Sequence, residues 1–228
     1  MSDGKIRIFS LGDSALTVEF GKAVSISLNK KALALSTFFE NDPFPGFVES
    51  VPAYASATIF YDLVKVRRAF PDFSTAFEAV QDLALAALSN LDLLSEPSPR
   101  RIEIPVHFDM ESALDLDYIA ETSGLPPEEV IEIFTASIYR VFMLGFLPGF
   151  SYMGEVDERI ATPRKESPRL HVPKGSVGIA GKQTGVYSLQ SPGGWQIIGR
   201  TDIEMFRPNA ESPSYLDPGD EVRFVAVK

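Results

Sequence analysis

The sequence predicts an α+β protein of two domains: an N-terminal α+β domain of ferredoxin-like size, followed by a domain of short strands in a barrel or sandwich. The chain has 228 residues, a length near which one chain divides into two domains. The first hundred residues alternate strand and helix patterns. Eleven of the sixteen glycines and eight of the seventeen prolines fall in residues 145–228. Short strands separated by frequent turn residues are typical of barrels and sandwiches.

The N-terminal part predicts the element order ββαββα, a compact module in which helices cover a small sheet. The strand runs are rich in β-prone residues, and the helical runs repeat apolar residues at helical spacing. The predicted elements are strands at Lys5–Ser10 and Ala15–Phe20, a helix over about 24–39, strands at 47–52 and 54–61, and a helix capped by Asp72 and reaching about Leu91.

The segment Leu94–Arg100 is the predicted linker because two prolines and two serines in seven residues disfavour regular structure. It sets the domain boundaries at residues 1–95 and 100–228. The elements predicted beyond it are a strand at Arg101–Phe108, helices at Asp115–Ser123 and Pro126–Ser137, and strands at 176–180, 184–189, 195–200 and 221–227.

The net charge of −10 is unevenly distributed along the chain. Residues 101–158 carry 2 basic and 12 acidic side chains, whereas residues 159–182 carry 6 basic and 1 acidic. The overall acidity argues against a nucleic-acid partner or an anionic membrane surface. The basic segment is where an anionic ligand is expected.

Composition excludes several chemistries. The chain has no cysteine, which removes thiol nucleophiles and cysteine metal sites, and His107 and His171 are its two histidines, so no metal centre is expected. The longest apolar run, Val141–Phe150, is interrupted by Gly145 and Pro148 and is too short to span a membrane. We therefore expect a cytoplasmic protein. The sequence contains neither a phosphate-binding P-loop nor a G-x-S-x-G elbow.

The glycine-rich half supplies the candidate site. Arginine is a planar, bidentate donor suited to carboxylate or phosphate, and aromatic rings supply flat pocket walls. The predicted anion-binding residues are Arg164, Arg169, Gln183, Tyr187 and Arg200. The predicted pocket-wall residues are Phe150, Tyr152, Gly193, Gly194 and Trp195. For each arginine taken singly, the alternative is an ion pair with a surface acid.

Three motifs in this half resemble one known family. They are G-F-x-P-G-F-x-Y at 145–152, P-R-x-x-x-P-R-x-x-V-P-x-G-S-V at 163–177 and S-P-G-G-W-x-I-I-G-R-T at 191–201. Their order and spacing are similar to the PxpB family of 5-oxoprolinase B subunits, also called KipI or allophanate hydrolase subunit 1. The likeness extends from Gly12-Asp13 to Pro218-Gly219-Asp220 and so spans most of the chain.

The resemblance implies that the second domain is a cyclophilin-like β-barrel. It also implies a subunit active only in a complex with PxpA-like and PxpC-like partners, which opens 5-oxo-L-proline to L-glutamate at the expense of ATP. ATP is implied for the complex, and no cofactor is expected on the isolated chain. The catalytic residues are left unassigned.

Two other functions follow from the same resemblance. One is a binding module of the Kip inhibitor type, with a histidine kinase as partner and Phe146, Phe150, Tyr152 and Trp195 as interface anchors. The other is a carboxyltransferase-like component of a urea carboxylase or allophanate system.

One position departs from the family pattern in a way that bears on catalysis. The family usually has a histidine where Phe134 stands. A phenylalanine neither donates nor accepts a proton, so an acid–base role at this position is absent.

Overall fold

The computed structural model describes residues 5–89 and 99–227. The chain divides into two compact units, residues 1–98 and 99–228. Most of the predicted linker, and the end of the helix predicted to reach Leu91, lie outside the described residues.

The first unit is a four-stranded antiparallel sheet packed against helices. Its elements are β1 (Arg7–Ser10), β2 (Ala15–Glu19), α1 (Ile26–Asn41), β3 (Phe47–Pro52), β4 (Ser56–Tyr61), α2 (Leu63–Ala69) and α3 (Ala76–Ser89). The strand order is β1-β2-β4-β3. Leu16 of β2 and Ile59 of β4 are fully buried against Leu35 of α1 and Val80 of α3. Burial alternates along β4, as expected for a strand with one face on a core, whereas four of the five residues of β2 are buried.

Two details of this unit differ from the prediction. The short helix α2 was not expected; Asp62 caps its N-terminus, and the Asp62 carboxylate accepts a hydrogen bond from the Lys65 amide at 2.9 Å. The expectation that Asp72 caps the last helix is wrong. Thr75 and Glu78 form a reciprocal capping box at the start of α3, with bonds of 3.0 and 3.1 Å. The S/T-x-x-E spacing was present in the sequence and is the stronger start signal.

The second unit is built on a closed seven-stranded barrel. Its elements are β5 (Arg101–His107), α4 (Leu116–Ser123), α5 (Pro127–Ala136), β6 (Tyr139–Leu144), β7 (Ser151–Gly154), β8 (Arg169–Val172), β9 (Ser176–Ala180), β10 (Gln183–Val186), β11 (Ser191–Gly193), β12 (Gln196–Arg200) and β13 (Glu221–Val227). The barrel order is β10-β7-β6-β13-β5-β12-β9, and β8 pairs with β11 outside it. The closed barrel decides between the two predicted architectures.

The barrel interior and the two helices share one apolar core. Ile104, Val141 and Ile179 are fully buried inside the barrel, and Ile119 of α4 and Val130 of α5 pack against the same cluster. Parallel pairing of β13 with β5 joins the end of the unit to its beginning. The barrel therefore gives the loops at its ends a rigid base.

The run Val141–Phe150 is the end of β6 and the hairpin loop that follows it. Gly145 donates its amide to the Phe150 carbonyl at 3.1 Å and closes the loop. Gly149 has a φ of +74°, and a Cβ there would lie 2.7 Å from the Met205 carbonyl oxygen. Glycine is therefore required where the loop meets the chain at Met205.

Candidate functional site

A pocket of about 280 Å³ opens on the second unit. Its volume is at the small end of the range for ligand sites. The residues that line it are Phe146, Phe150, Tyr152, Arg164, Pro168, Tyr187, Pro192, Gly193, Gly194 and Trp195. Seven of the ten residues predicted for the site are among them. The remaining three, Arg169, Gln183 and Arg200, do not line it.

The pocket wall is a set of edge-to-face aromatic contacts centred on Phe150. This ring is buried, and its centroid lies 4.9 Å from that of Tyr152, 5.4 Å from that of Tyr187 and 5.4 Å from that of Trp195. Such contacts favour one relative orientation of the rings. The wall is therefore held in shape by packing within the protein.

Tyr187 is a neutral hydroxyl group at the base of the pocket. Burial raises the pKa of its phenol, against the opposing effect of a hydrogen bond from the Trp195 backbone. A Cβ on Gly193 would lie 2.2 Å from the Tyr187 hydroxyl oxygen, so the glycine makes room for that group. This contact explains why Gly193 is needed at the site.

Arg164 is the charged side chain among the residues that line the pocket. It is exposed, and its guanidinium carbon lies 5.7 Å from the centroid of the Trp195 ring. A guanidinium over an indole face is held in place by a cation–π interaction while its donors remain open to an anion.

The other five basic residues of segment 159–182 all face carboxylates. The pairs are Arg159 with Asp157, Lys165 and Arg169 with Asp115, Lys174 with Glu204, and Lys182 with Glu158. Within residues 5–89 and 99–227, Arg164 has no such partner. The positive charge predicted for this segment is thus largely neutralised by the protein, and what remains available is concentrated at the pocket.

Asp115 fixes the chain that carries Arg164. Its buried carboxylate accepts two bonds from Arg169, at 2.6 and 2.7 Å, one from the Lys165 ammonium at 3.0 Å, and one from the Ile197 amide at 2.7 Å. Burial alone would raise the pKa of Asp115, but these donors outweigh it and hold that pKa below its ordinary value. The carboxylate therefore stays ionised and ties residues 165–169 to the barrel strand β12.

Backbone and amide bonds hold the same segment on either side of Arg164. The Lys165 amide donates to the Gly194 carbonyl at 2.7 Å, and the Gln196 side-chain amide donates to the Pro163 carbonyl at 3.0 Å. Asp115 was not predicted as a residue that builds the site. Its position indicated a helix start, and a contact across fifty or more residues leaves no local signal.

The structure also places two predicted anion-binding residues away from the pocket. Arg200 ends β12, opposite His107, and lies about 16 Å along that strand from Trp195 at about 3.3 Å per residue. Gln183 begins β10, beside the turn at Gly181 and opposite Ala180, whereas the pocket lies beyond the other end of that strand. Both were grouped with the site because they are near it in sequence.

Phe134, the position at which the family usually has histidine, lies in the core. Its ring is fully buried and stacks on Phe224 at 5.0 Å, with Tyr139 at 5.1 Å. It does not line the pocket, so its effect is on packing.

The described residues contain no group of three His, Cys, Asp or Glu side chains arranged to hold a metal ion. No helix in this described part has the length and apolar character to cross a membrane.

Comparison with known proteins identifies the family. A family model for the carboxyltransferase domain, subdomains C and D, matches residues 6–216. The 5-oxoprolinase B subunit of Bacillus subtilis (strain 168) is 44% identical over 224 residues, which cover 98% of this chain and 93% of that protein. The protein of the same name from Escherichia coli O157:H7 is 38% identical, with 98% and 97% covered. The chain therefore belongs to the carboxyltransferase C and D class and, within it, to the PxpB family of 5-oxoprolinase B subunits.

Solved structures agree on the fold. The crystal structure of TTHA0988 matches with a TM-score of 0.79 and 35% identity, covering 98% of this chain and 40% of that one, so this chain spans about two-fifths of that protein. The urea carboxylase of Kluyveromyces lactis matches with a TM-score of 0.74, covering 98% of this chain and 22% of that enzyme. At 21% identity, the second match is one of fold alone. The predicted α+β fold with a cyclophilin-like barrel is confirmed.

Proposed function

We propose that the chain is the B subunit of a heteromeric, ATP-dependent 5-oxoprolinase that opens 5-oxo-L-proline to L-glutamate together with PxpA-like and PxpC-like subunits. The observation that carries the proposal is the near full-length likeness to proteins named as 5-oxoprolinase B subunits, at 44% and 38% identity. The pocket supports the proposal because the guanidinium of Arg164, which has no carboxylate partner among the described residues, lies at a compact aromatic cavity.

The chemistry of 5-oxoproline suits this pocket. Its carboxylate is the group that Arg164 binds with charge-assisted hydrogen bonds. Its five-membered ring is flat and small enough to lie against Trp195 and Tyr152. The neutral Tyr187 hydroxyl is a further polar group beside that ring. In this arrangement the chain binds and orients the substrate.

The reaction also needs groups that this pocket does not offer. One water adds across the lactam C–N bond: the ring nitrogen becomes the amino group of glutamate and the carbonyl carbon becomes its side-chain carboxylate. A second water converts ATP to ADP and phosphate. None of the residues lining the pocket carries a carboxylate or imidazole that could transfer these protons. The PxpA-like and PxpC-like subunits therefore supply the acid–base groups.

The pocket does not fit ATP. A cavity of about 280 Å³ with one arginine is too small and too weakly charged for an adenosine triphosphate. We therefore place ATP on the partner subunits.

Reconstitution tests the proposal. The chain is mixed with its PxpA-like and PxpC-like subunits, and glutamate formed from 5-oxo-L-proline is measured with and without ATP and with each subunit omitted. We expect turnover only in the complete, ATP-containing mixture. Undiminished turnover without this chain would contradict the proposal, as would rapid ATP hydrolysis by this chain alone.

A binding module is the second candidate, and the exposure of Phe146 favours it. This ring is 60% exposed at the pocket mouth, which suits an anchor for a protein partner such as a histidine kinase. Affinity purification of the intact chain from its own cells separates the two functions. A stoichiometric PxpC-like partner supports the role in the enzyme; capture of a kinase alone, with no turnover, supports the module.

A further inference from the structure

Phe146 has a backbone conformation that an aromatic residue rarely adopts. Its φ is +66°, and within the described residues it is the one non-glycine position with positive φ. The Leu147 amide donates to the Gly145 carbonyl at 2.8 Å, so Phe146 is the central residue of a γ-turn. A γ-turn with positive φ at its centre is rare and strained.

The surrounding structure holds this turn in place. Gly145 and Phe150 are joined across the loop by a backbone hydrogen bond of 3.1 Å, and the Phe150 amide donates to the Leu147 carbonyl at 3.0 Å. Strain that persists because its surroundings enforce it is a mark of functional positions.

The turn directs the Phe146 ring between two cavities. On one side is the aromatic pocket, where the ring lies edge-on to Phe150 at 5.4 Å and to Tyr187 at 6.4 Å. On the other side is a shallow groove of about 380 Å³. The groove is lined by Leu144, Gly145, Phe146, Leu147, Pro148, Gly149, Phe206 and Ser214. Phe146 is the residue common to both cavities.

We propose that Phe146 is a specificity-determining residue: its ring closes the pocket on the side of the groove and limits the ligand to a compact carboxylate. A ligand whose carboxylate is bound by Arg164 and whose apolar part is longer than one small ring meets the Phe146 ring. The lining of the groove carries no charged side chain, so removal of the ring extends the pocket into apolar surface. The identity of the natural ligand rests on the proposed function, but the size limit does not.

The test uses the isolated chain and needs no turnover. Trp195 is the single tryptophan of the chain and lines the pocket, so its fluorescence reports binding there. Cyclopentanecarboxylate is the compact probe and octanoate the extended one. The variants are Phe146→Ala, Phe146→Gly and, as a matched control, Leu170→Ala, which removes an apolar side chain that is 77% exposed and outside both cavities.

We expect wild-type protein and Leu170→Ala to bind cyclopentanecarboxylate more tightly than octanoate. Both Phe146 variants are expected to bind octanoate about tenfold more tightly than wild type, the gain from removing about two methylene groups from water, with a change of less than about threefold for cyclopentanecarboxylate. Glycine adopts positive φ without strain, so Phe146→Gly keeps the turn and is expected to have a higher Tm than Phe146→Ala.

Three results would overturn the inference. The first is that both Phe146 variants still prefer cyclopentanecarboxylate to octanoate as strongly as wild type does. The second is that both variants lose affinity equally for the two acids, and the third is that neither acid changes the Trp195 fluorescence of any of the proteins. Failure of the reconstituted complex to turn over 5-oxoproline, with the probe selectivity changed as expected, would contradict the proposed function alone.

Discussion

Arg169 and Asp115 form a bidentate ion pair, with guanidinium nitrogens 2.6 and 2.7 Å from the carboxylate oxygens. The carboxylate is almost fully buried and accepts two further hydrogen bonds, from Lys165 and from the Ile197 amide. An arginine that sequence patterns suggest for substrate binding is thus a positioning residue for the segment that carries Arg164.

Removal of Asp115 is expected to destabilise the second unit strongly. Asp115→Ala leaves Arg169 and Lys165 without their counter-charge and the Ile197 amide without its acceptor, and loss of one partner of a buried pair costs about 3–5 kcal/mol. Urea unfolding followed by Trp195 fluorescence measures the change in the free energy of unfolding. Glu158→Ala, which breaks an exposed pair with Lys182, is the control and is expected to change the free energy of unfolding by less than about 0.5 kcal/mol. Equal stability of the two variants would contradict this role.

The same carboxylate gives stability a defined pH dependence. The pKa of Asp115 lies below its ordinary value of 3.8, so its contribution is fully present above that pH and is lost as the pH falls through the folded-state pKa. Wild type and Asp115→Asn are compared by urea midpoint from neutral pH downwards. The difference between them is expected to be constant above about pH 5 and to shrink below about pH 4. A difference that stayed constant into strong acid would show that the charge of Asp115 is not what stabilises the fold.

Gly193 and Gly194 are adjacent, and the structure predicts opposite tolerance to alanine. A Cβ on Gly193 would lie 2.2 Å from the Tyr187 hydroxyl oxygen, whereas one on Gly194 meets its nearest atom at 3.6 Å. Gly193→Ala is expected to destabilise the unit by about 1–3 kcal/mol, since it displaces a buried ring. Gly194→Ala serves as the matched control and is expected to unfold within about 0.5 kcal/mol of wild type. Similar urea midpoints for both variants would refute the close approach of Tyr187.

The variant Phe134→His tests whether the residue at position 134 contributes to core packing or to catalysis. Phe134 is fully buried between Phe224 and Tyr139, and an imidazole there buries polar nitrogens among aromatic rings. We expect a loss of about 1–3 kcal/mol in the free energy of unfolding and no gain in turnover by the reconstituted complex. A stable Phe134→His chain with clearly raised turnover would show instead that this position takes part in the chemistry.

The sequence predicted those elements whose signal is local. Runs of β-prone residues marked β2 and β4, apolar spacing marked α1, and proline in the first turn marked α5. Helix α2 was missed because its seven residues follow β4 almost directly and are too few for a periodic pattern to be recognised. The density of glycine, proline and aromatic residues located the pocket, since glycine permits close backbone approach, proline rigidifies loops and aromatic rings supply flat walls.

The parts that local signals did not predict depend on long-range contacts. Which basic side chain of segment 159–182 lacks a carboxylate partner was decided by acids far away in sequence, such as Asp115 for Arg169 and Glu204 for Lys174. Arg200 and Gln183 were assigned to the site because of their sequence proximity, and barrel register carries both away from it. Charge density therefore located the segment that bears the site, and the fold selected Arg164 within it.

The most direct test of Arg164 as the anion-binding residue is the KM for 5-oxo-L-proline of the complete complex carrying Arg164→Gln. Loss of a charged hydrogen-bond donor to the substrate carboxylate is expected to raise KM about 10- to 100-fold, corresponding to about 1.5–3 kcal/mol. Arg200→Gln and Arg223→Gln, which change exposed arginines outside the pocket, are expected to leave KM within about twofold of wild type. An unchanged KM in Arg164→Gln would contradict the assignment of Arg164, and a raised KM in Arg200→Gln would move the anion site to the far end of β12.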